Sequence, residues 1–143
     1  MEKPEFKFSE IISILETDCP PKEFEQKETK AFRWVFEAME NELNFSPQYL
    51  KKPARFQKQP PDIKCKAVGL SFFSTEENAR MRFNILTARM LASVKNKVGE
   101  NVAAGIIYEK DGVSDIPDKK GHFTLHPYLG ENLIAQFKII GKL

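Results

Sequence analysis

Two histidines and two cysteines are the residues of this chain best suited to chemistry, and the histidines stand close together. His122 and His126 are four positions apart, with Thr124 midway between them. On a β-strand all three side chains would point to one face. The imidazoles would then lie about 13 Å apart, too far for one zinc ion with nitrogen ligands at about 2.1 Å. The triplet predicts a polar face, either solvent-facing or hydrogen-bonded, or a site in which an imidazole binds phosphate or acts as a general base.

The cysteines are far apart in sequence and predict no metal site. Cys19 and Cys65 are separated by 46 positions, which is not a metal-ligand spacing. No apolar leader follows Met1, since charged residues and a proline occupy positions 2–4. We therefore expect reduced thiols in a cytoplasmic protein, with Cys65 as a buried, inert thiol inside an apolar strand. Neither a cofactor nor a metal is expected.

Motifs of the common enzyme classes are missing from the sequence. It contains no Walker loop, no Gly-x-Ser-x-Gly, no Gly-x-Gly-x-x-Gly and no His-Glu-x-x-His. The His-x-Thr triplet resembles half of the motif of 2H phosphoesterases, but that activity needs two triplets and the chain has one. Glu76 and Glu77 are adjacent carboxylates whose expected role is to cap a helix. These observations favour a protein that binds its partner without transforming it.

Charge is segregated along the 143 residues, although the net charge is only +2. Residues 1–46 carry a net charge of −5, and residues 47–66 carry +5. The composition, 41% hydrophobic and 29% charged, is that of one globular domain, and no apolar run approaches the ~20 residues of a membrane helix. We divide this domain into an acidic helical arm over 1–46, a proline-rich basic loop over 47–62 and an α+β body over 63–143.

The sequence patterns predict an α+β fold in which helices precede a small sheet. Apolar residues recur every three or four positions from Phe32 to Leu43 and predict a long helix. Four prolines predict irregular structure in the following stretch. We expect the last three strands to form an antiparallel meander. The predicted elements are helices over 9–15 and 22–45, a loop over 46–61, a strand over 63–73, a long helix over 75–98, and strands over 102–108, 122–126 and 133–140.

The long helix has apolar stripes on nearly opposite sides. Ser74 and Glu77 form a capping box at its start, and Gly99 stands where the residue after its end belongs. We expect the sheet to cover one stripe and the N-terminal helices the other, and the alternative is that the second stripe contacts another subunit. The first stripe consists of Ala79, Phe83, Leu86, Met90 and Val94, and the second of Met81, Ile85, Ala88 and Ala92.

Two sequence resemblances bear on origin and function. Residues 71–76, Ser-Phe-Phe-Ser-Thr-Glu, resemble the aromatic-Ser-Thr-Ser step of ADP-ribosyltransferases, with Glu76 in place of the last serine. That resemblance implies an NAD-binding fold, although no catalytic Glu-x-Glu or Gln-x-Glu pair follows. The segments CKA, GLSFF, EENA and GHFTLHPY resemble the pattern of short uncharacterised bacterial proteins over roughly 47–143, which implies a bacterial origin.

Two functions follow from these observations, and an NAD-binding enzyme is a third. The first is an interaction module for a protein partner, which the double-sided helix and the acidic arm favour. The second is binding of single-stranded nucleic acid, in which cations neutralise phosphates and aromatic rings stack on bases. A solvated basic loop is the alternative to the second, and the oligomeric state stays open. The candidate nucleic-acid contacts are Lys51, Lys52, Arg55, Phe56 and Lys58 in the loop and Arg82 and Arg89 on the helix.

Overall fold

A computed structural model of the protein describes residues 4–90 and 99–143, and six strands in these ranges form one sheet. Across the sheet, the fourth strand is followed by the fifth, second, first, third and sixth, with all neighbours antiparallel. The first strand therefore lies near the centre of the sheet. The strands are β1 (Thr29–Val35), β2 (Leu70–Phe73), β3 (Asn101–Ile107), β4 (Gly112–Ser114), β5 (His122–Pro127) and β6 (Phe137–Lys142).

Helices connect the strands and confirm the predicted α+β class. Most of them are single turns, and none in the two described ranges is long and apolar enough to cross a bilayer. Two 3-10 turns lie at Glu42–Phe45 and Glu109–Asp111. The helices are α1 (Ser9–Ile12), α2 (Gln48–Lys51), α3 (Pro53–Phe56), α4 (Pro61–Val68), α5 (Glu76–Thr87) and α6 (Leu133–Gln136).

The predicted helix over 22–45 is wrong, because this segment contains the central strand β1. Phe32 packs in a cluster with Ala79 of α5, whereas Ala31 and Val35 belong to the main core on the other face. A strand buried on both faces loses the alternation of apolar and polar residues, and its apolar spacing then imitates a helix. The acidic segment 1–46 is therefore not a helical arm, although its first predicted helix exists as the short α1.

The predicted strand over 63–73 is wrong at its start, and the predicted loop over 46–61 contains regular structure. Residues up to Val68 form α4, and only the end of the segment is β2. Pro61 suits the first turn of α4 because the N–H that it lacks has no intrahelical acceptor there. Prolines precede or begin α2 and α3 in the same way. A proline that looks like a helix breaker in sequence thus marks a helix start.

The C-terminal strands do not form the predicted meander. β3, predicted over 102–108, is an interior strand as expected, and it pairs with β1 and β6. β5, predicted over 122–126, pairs with β2 and β4 instead. In the strand predicted over 133–140, the first residues form α6, and β6 begins at Phe137. The meander is wrong because β5 forms its hydrogen bonds with β2 and β4, so that it lies on the opposite side of β1 from β3 and β6.

The start of α5 is one residue later than the predicted capping box. Thr75 is the N-cap, and its hydroxyl oxygen accepts the backbone N–H of Asn78 at 3.0 Å. Ser74 directly follows the last residue of β2, and its N–H donates to the carbonyl of Gly121 at 2.8 Å. The capping box predicted for Ser74 and Glu77 is therefore wrong, because the N-cap residue is Thr75, one position later.

The two stripes of α5 have different surroundings. Ala79 and Phe83 of the first stripe are buried, but Met81 and Ile85 of the second are 52% and 60% exposed. The expected cover by N-terminal helices is wrong, because that part of the chain contributes β1 to the sheet instead. Contact of the second stripe with another subunit stays a prediction. The predictions for residues 91–98, including those for the last stripe residues, lie outside the described residues.

Candidate functional site

A buried arginine joins β1 to the neighbouring part of the core. Nη1 of Arg33 donates a hydrogen bond to the carbonyl of Ser71, and Nε donates to the carbonyl of Asn44 at 2.7 Å. The guanidinium carbon lies 5.3 Å from the ring centre of Phe72 and 5.7 Å from that of Phe45. Hydrogen bonds and aromatic rings therefore fix the position of this positive charge.

No acidic side chain in the described ranges forms an ion pair with Arg33. The ion pairs in residues 4–90 and 99–143 join Lys7 to Glu131 and Arg80 to Glu76. Arg33 is only 8% exposed, and burial lowers the pKa of its guanidinium to about 10, so that it is charged at neutral pH. A buried cation without a counter-ion is costly, and such groups are concentrated at binding sites.

Arg33 lines a pocket with a volume of about 340 Å³. Its walls come from β1, α2, β2, α5 and the loop before β5, so the fold assembles residues that are far apart in sequence. Clefts of this size are typical of small-molecule sites. The lining residues are Arg33, Trp34, Gln48, Lys51, Ser71, Phe73, Arg82, Asp118, Lys120 and His122.

Positive charge dominates this pocket. Its four basic and one acidic side chains give a net formal charge of +3 with neutral histidine. Burial, together with the charges of Arg33 and Lys52, lowers the pKa of the Lys51 ammonium to about 8. Like charges in a partly buried site repel one another more strongly than in water. A bound anion would relieve this repulsion.

The carboxylate of Asp118 organises the loop at one side of the pocket. Its Oδ1 accepts the backbone N–H groups of Lys120 at 2.8 Å and of His122 at 3.0 Å. Burial acts to raise the pKa of the Asp118 carboxyl, but these two hydrogen bonds outweigh it and hold the pKa below its ordinary value. Burial lowers the pKa of the His122 imidazole against the opposing effect of Asp118. His122 is therefore mainly neutral at pH 7.

Aromatic rings form the apolar wall of the pocket. The indole Nε1–H of Trp34 donates to the carbonyl of Ala79 at 2.9 Å, which fixes the ring. Its centre lies 5.4 Å from the ring of Phe73, and the imidazole of His122 lies 5.6 Å from the same phenylalanine. The pocket thus combines fixed cations with an apolar surface, a combination that suits an anion joined to a planar or apolar group.

The structure brings only part of the sequence-predicted basic surface into the pocket. Lys51, Arg82 and His122 line it. Phe56 does not, because it stacks on Tyr49 with ring centres 6.2 Å apart and packs α3 against α2. The other predicted contacts are exposed outside the pocket, and they are Lys52, Arg55, Lys58 and Arg89.

The polar triplet of β5 is divided between two surroundings. His122 lines the pocket, whereas His126 is 1% exposed and lies beside Cys65. Thr124 lies between them and is buried against Gly69, where a β-carbon would come within 2.4 Å of its Cγ2. The triplet therefore does not form one continuous polar site.

Sequence patterns do not identify Arg33, Asp118 and Lys120 as site residues. A single base inside the apolar stretch of β1 is the one sequence signal that points to Arg33. The loop residues carry no signal, because their approach to the pocket depends on the pairing of β5 with β2. The runs of basic residues in the sequence therefore predict the exposed cations near the pocket, but they give no indication of the buried Arg33.

The expectation of two reduced thiols is wrong, because Cys19 and Cys65 form a disulfide. Cys65 is buried as expected, but it lies on α4 and not on a strand. The sequence separation of 46 positions hides this proximity, since only the tertiary fold brings α4 against the N-terminal segment. Disulfides are typical of oxidising compartments, so the cytoplasmic location stays a prediction.

The chain was compared with known proteins at three levels. Neither the protein-family models, nor the curated proteins, nor the solved structures contain a significant match to it. Function must therefore be argued from the site alone.

Proposed function

We propose that the protein binds a phosphate-bearing ligand in the pocket beside Arg33. The observation that carries this proposal is the buried guanidinium of Arg33, which has no acidic partner among the described residues and is joined in the pocket by Lys51 and Arg82. Phosphate is the biological anion that such a group of cations binds best, because several charge-assisted hydrogen bonds form at once. Ser71 and the neutral imidazole of His122 offer further hydrogen bonds.

The phosphate group can belong to the end of a nucleic-acid strand or to a mononucleotide. Exposed cations beyond Lys51 extend the positive surface along α2 and α3 and favour a strand. Residues 71–76, which resemble the NAD-binding step of ADP-ribosyltransferases, contribute Ser71 and Phe73 to the pocket and favour a nucleotide. Both ligands would place a phosphate against the same cations, with no chemical step required.

Fluorescence anisotropy with labelled single-stranded oligonucleotides tests the proposal. We expect an oligonucleotide with a 5′-phosphate to bind at least fivefold more tightly than the same strand with a 5′-hydroxyl. Unlabelled adenosine monophosphate, NAD⁺ and inorganic phosphate serve as competitors and distinguish a strand-end site from a nucleotide site. Equal binding of both strands together with no competition would overturn the proposal.

Neighbouring lysines provide the matched control for this experiment. Lys51→Gln removes a cation from the pocket, whereas Lys52→Gln removes an exposed cation next to it. We expect the first variant to weaken binding about tenfold and the second less than twofold, because an exposed charge is screened by solvent. Equal effects of both variants would indicate unspecific attraction to a basic surface.

As a second function, we propose that α5 mediates self-association. Glu77, Met81 and Ile85 of α5 follow one another at four-residue spacing, Arg89 lies two residues beyond the end of this helix, and all four are exposed. Two copies of α5 packed antiparallel would bury the apolar pair and bring Glu77 of one copy against Arg89 of the other. This arrangement supports the interaction module that the two-striped helix predicted.

Light scattering after size-exclusion chromatography tests this second function. We expect wild-type protein to form a dimer in low salt and Ile85→Glu to be monomeric. Ile134→Glu is the control, because Ile134 is also an exposed isoleucine but lies on α6, outside this face of α5. A wild-type monomer at high micromolar concentration would contradict self-association.

A further inference from the structure

Two cysteines and a histidine converge at a second place in the fold, away from the pocket. The sulfurs of Cys19 and Cys65 and a ring nitrogen of His126 all lie within 4.8 Å of one another. Sγ of Cys65 is 3.8 Å from Nε2 of the imidazole. The three residues come from the N-terminal segment, from α4 and from β5, so the cluster is a product of the tertiary fold.

The imidazole of His126 is buried, and one of its two ring nitrogens has no hydrogen-bond partner among the described residues. The side chain is 1% exposed, and its Nδ1 has no hydrogen-bond partner. The ring nitrogen that faces the sulfur of Cys65 is Nε2, so Nε2 is the atom available to an ion bound beside the two sulfurs.

The surroundings hold α4 and β5 in close contact. Gly69 ends α4, and a β-carbon there would lie 3.3 Å from Nε2 of His126. The ring of Phe24 packs 5.6 Å from the imidazole and shields it on another side. Cys19 is half-buried in an irregular segment, so it is the member of the cluster that can move when the disulfide opens.

We propose that Cys19, Cys65 and His126 bind one zinc ion when the disulfide is reduced. Two thiolates and a neutral imidazole are a donor set that zinc prefers, and three protein ligands leave the fourth tetrahedral position for water or another ligand. The distance between His122 and His126 on the strand excludes one zinc ion bound by both histidines. It does not exclude a zinc ion bound by His126 and the two cysteines.

The two states of the cluster are related by a balanced exchange. A dithiol reductant transfers two electrons and two protons to the Cys19–Cys65 bond and becomes a disulfide itself. Zinc then binds to the two sulfurs and displaces their two protons into solvent. Oxidation of the two thiolates by a disulfide oxidant, which takes up the two electrons, reverses the exchange and releases the ion.

Cobalt(II) is a suitable spectroscopic probe for zinc in this experiment. The full-length protein is reduced with excess dithiothreitol, freed of reductant under anaerobic conditions and titrated with cobalt chloride. We expect thiolate-to-cobalt absorption to saturate at one equivalent and to disappear on addition of one equivalent of zinc. The disulfide form should give no such absorption.

Two histidine variants identify the third ligand. His126→Ala should weaken cobalt binding at least tenfold, whereas His122→Ala, on the same strand, should leave it unchanged. If the reduced protein loses its circular dichroism, recovery on addition of zinc supports the site. Absence of cobalt absorption in reduced wild type, failure of zinc to restore lost structure, or equal affinity of the two histidine variants would overturn the proposal.

Discussion

The guanidinium of Arg33 donates from Nη1 to the backbone carbonyl of Ser71, across the boundary between β1 and β2. These strands pair at a single position, where Phe32 lies opposite Phe73. A side chain therefore links the two strands beside this short pairing, and it places a charged group at the wall of the pocket. This hydrogen bond therefore links two strands of the sheet and also fixes the position of the positive charge at the pocket.

Replacement of this arginine should reduce both stability and binding. Arg33→Met leaves the carbonyls of Ser71 and Asn44 without their charged donor. Loss of these bonds, offset in part by relief of the buried charge, should lower the free energy of unfolding by about 1–3 kcal/mol. Urea denaturation measures this change, and anisotropy should show at least tenfold weaker binding of the 5′-phosphorylated strand. A variant that folds and binds normally would contradict the role of Arg33.

Binding should weaken as the pH rises through the pKa of Lys51. Its ammonium has a pKa lowered to about 8, so it is charged below that pH and neutral above it. A terminal phosphate is mainly a dianion above pH 7, and its charge changes little there. We expect the affinity to fall roughly five- to tenfold between pH 7 and pH 9.

The variant Lys51→Arg provides the control for this pH dependence. An arginine at the same position keeps its charge throughout the range, so its affinity should change less than twofold between pH 7 and pH 9. Anisotropy titrations at constant ionic strength measure both curves. A wild-type affinity that does not change with pH would show that Lys51 does not contact the ligand.

Removal of the negative charge of Asp118 should strengthen binding of an anion. Asp118→Asn keeps an oxygen that can accept the N–H groups of Lys120 and His122, so the loop is retained. The pocket loses its one acidic lining residue, and the affinity should rise roughly three- to tenfold. Asp118→Ala removes the acceptor as well, and it should not reproduce the gain. Weaker binding by the asparagine variant would argue against an anionic ligand.

Reduction of the disulfide should destabilise the protein in the presence of a chelator. Cys19 and Cys65 close a loop whose ends are 46 positions apart, and opening it should lower the free energy of unfolding by about 2–4 kcal/mol. Urea denaturation with and without dithiothreitol measures the difference, with EDTA present to remove zinc. The double variant Cys19→Ser/Cys65→Ser should be insensitive to reductant. A stability unaffected by reduction would contradict a structural role for the disulfide.

The sequence predicts those elements whose signals are local. The strand β5 follows from alternation and lies close to its predicted position. The start of α5 follows from a cluster of capping residues, but the helix ends at Thr87, short of the predicted end at residue 98. β1 was beyond prediction, because both of its faces are buried and its apolar spacing is that of a helix. The prediction of a C-terminal meander is wrong for a related reason, since the order of strands in a sheet depends on contacts between segments that are distant in sequence.

Only the more exposed basic residues of the candidate site could be predicted from the sequence. Lys51 and Arg82 stand in basic patterns that a sequence displays, but Arg33 is a lone base in an apolar strand. Its importance lies in its burial without an acidic partner among the described residues, which is a property of the folded chain. The approach of Cys19 to Cys65 is likewise a tertiary contact.

The most direct test of phosphate binding is to map the ligand on the protein by ¹H–¹⁵N NMR during titration with a 5′-phosphorylated oligonucleotide. If phosphate binds in this pocket, we expect saturable shifts of the backbone amides of Ser71, Lys120 and His122, and of the side chain Nε of Arg33. Shifts confined to the exposed residues of α3 or to Met81 and Ile85 of α5, or shifts that do not saturate, would contradict phosphate binding in the pocket.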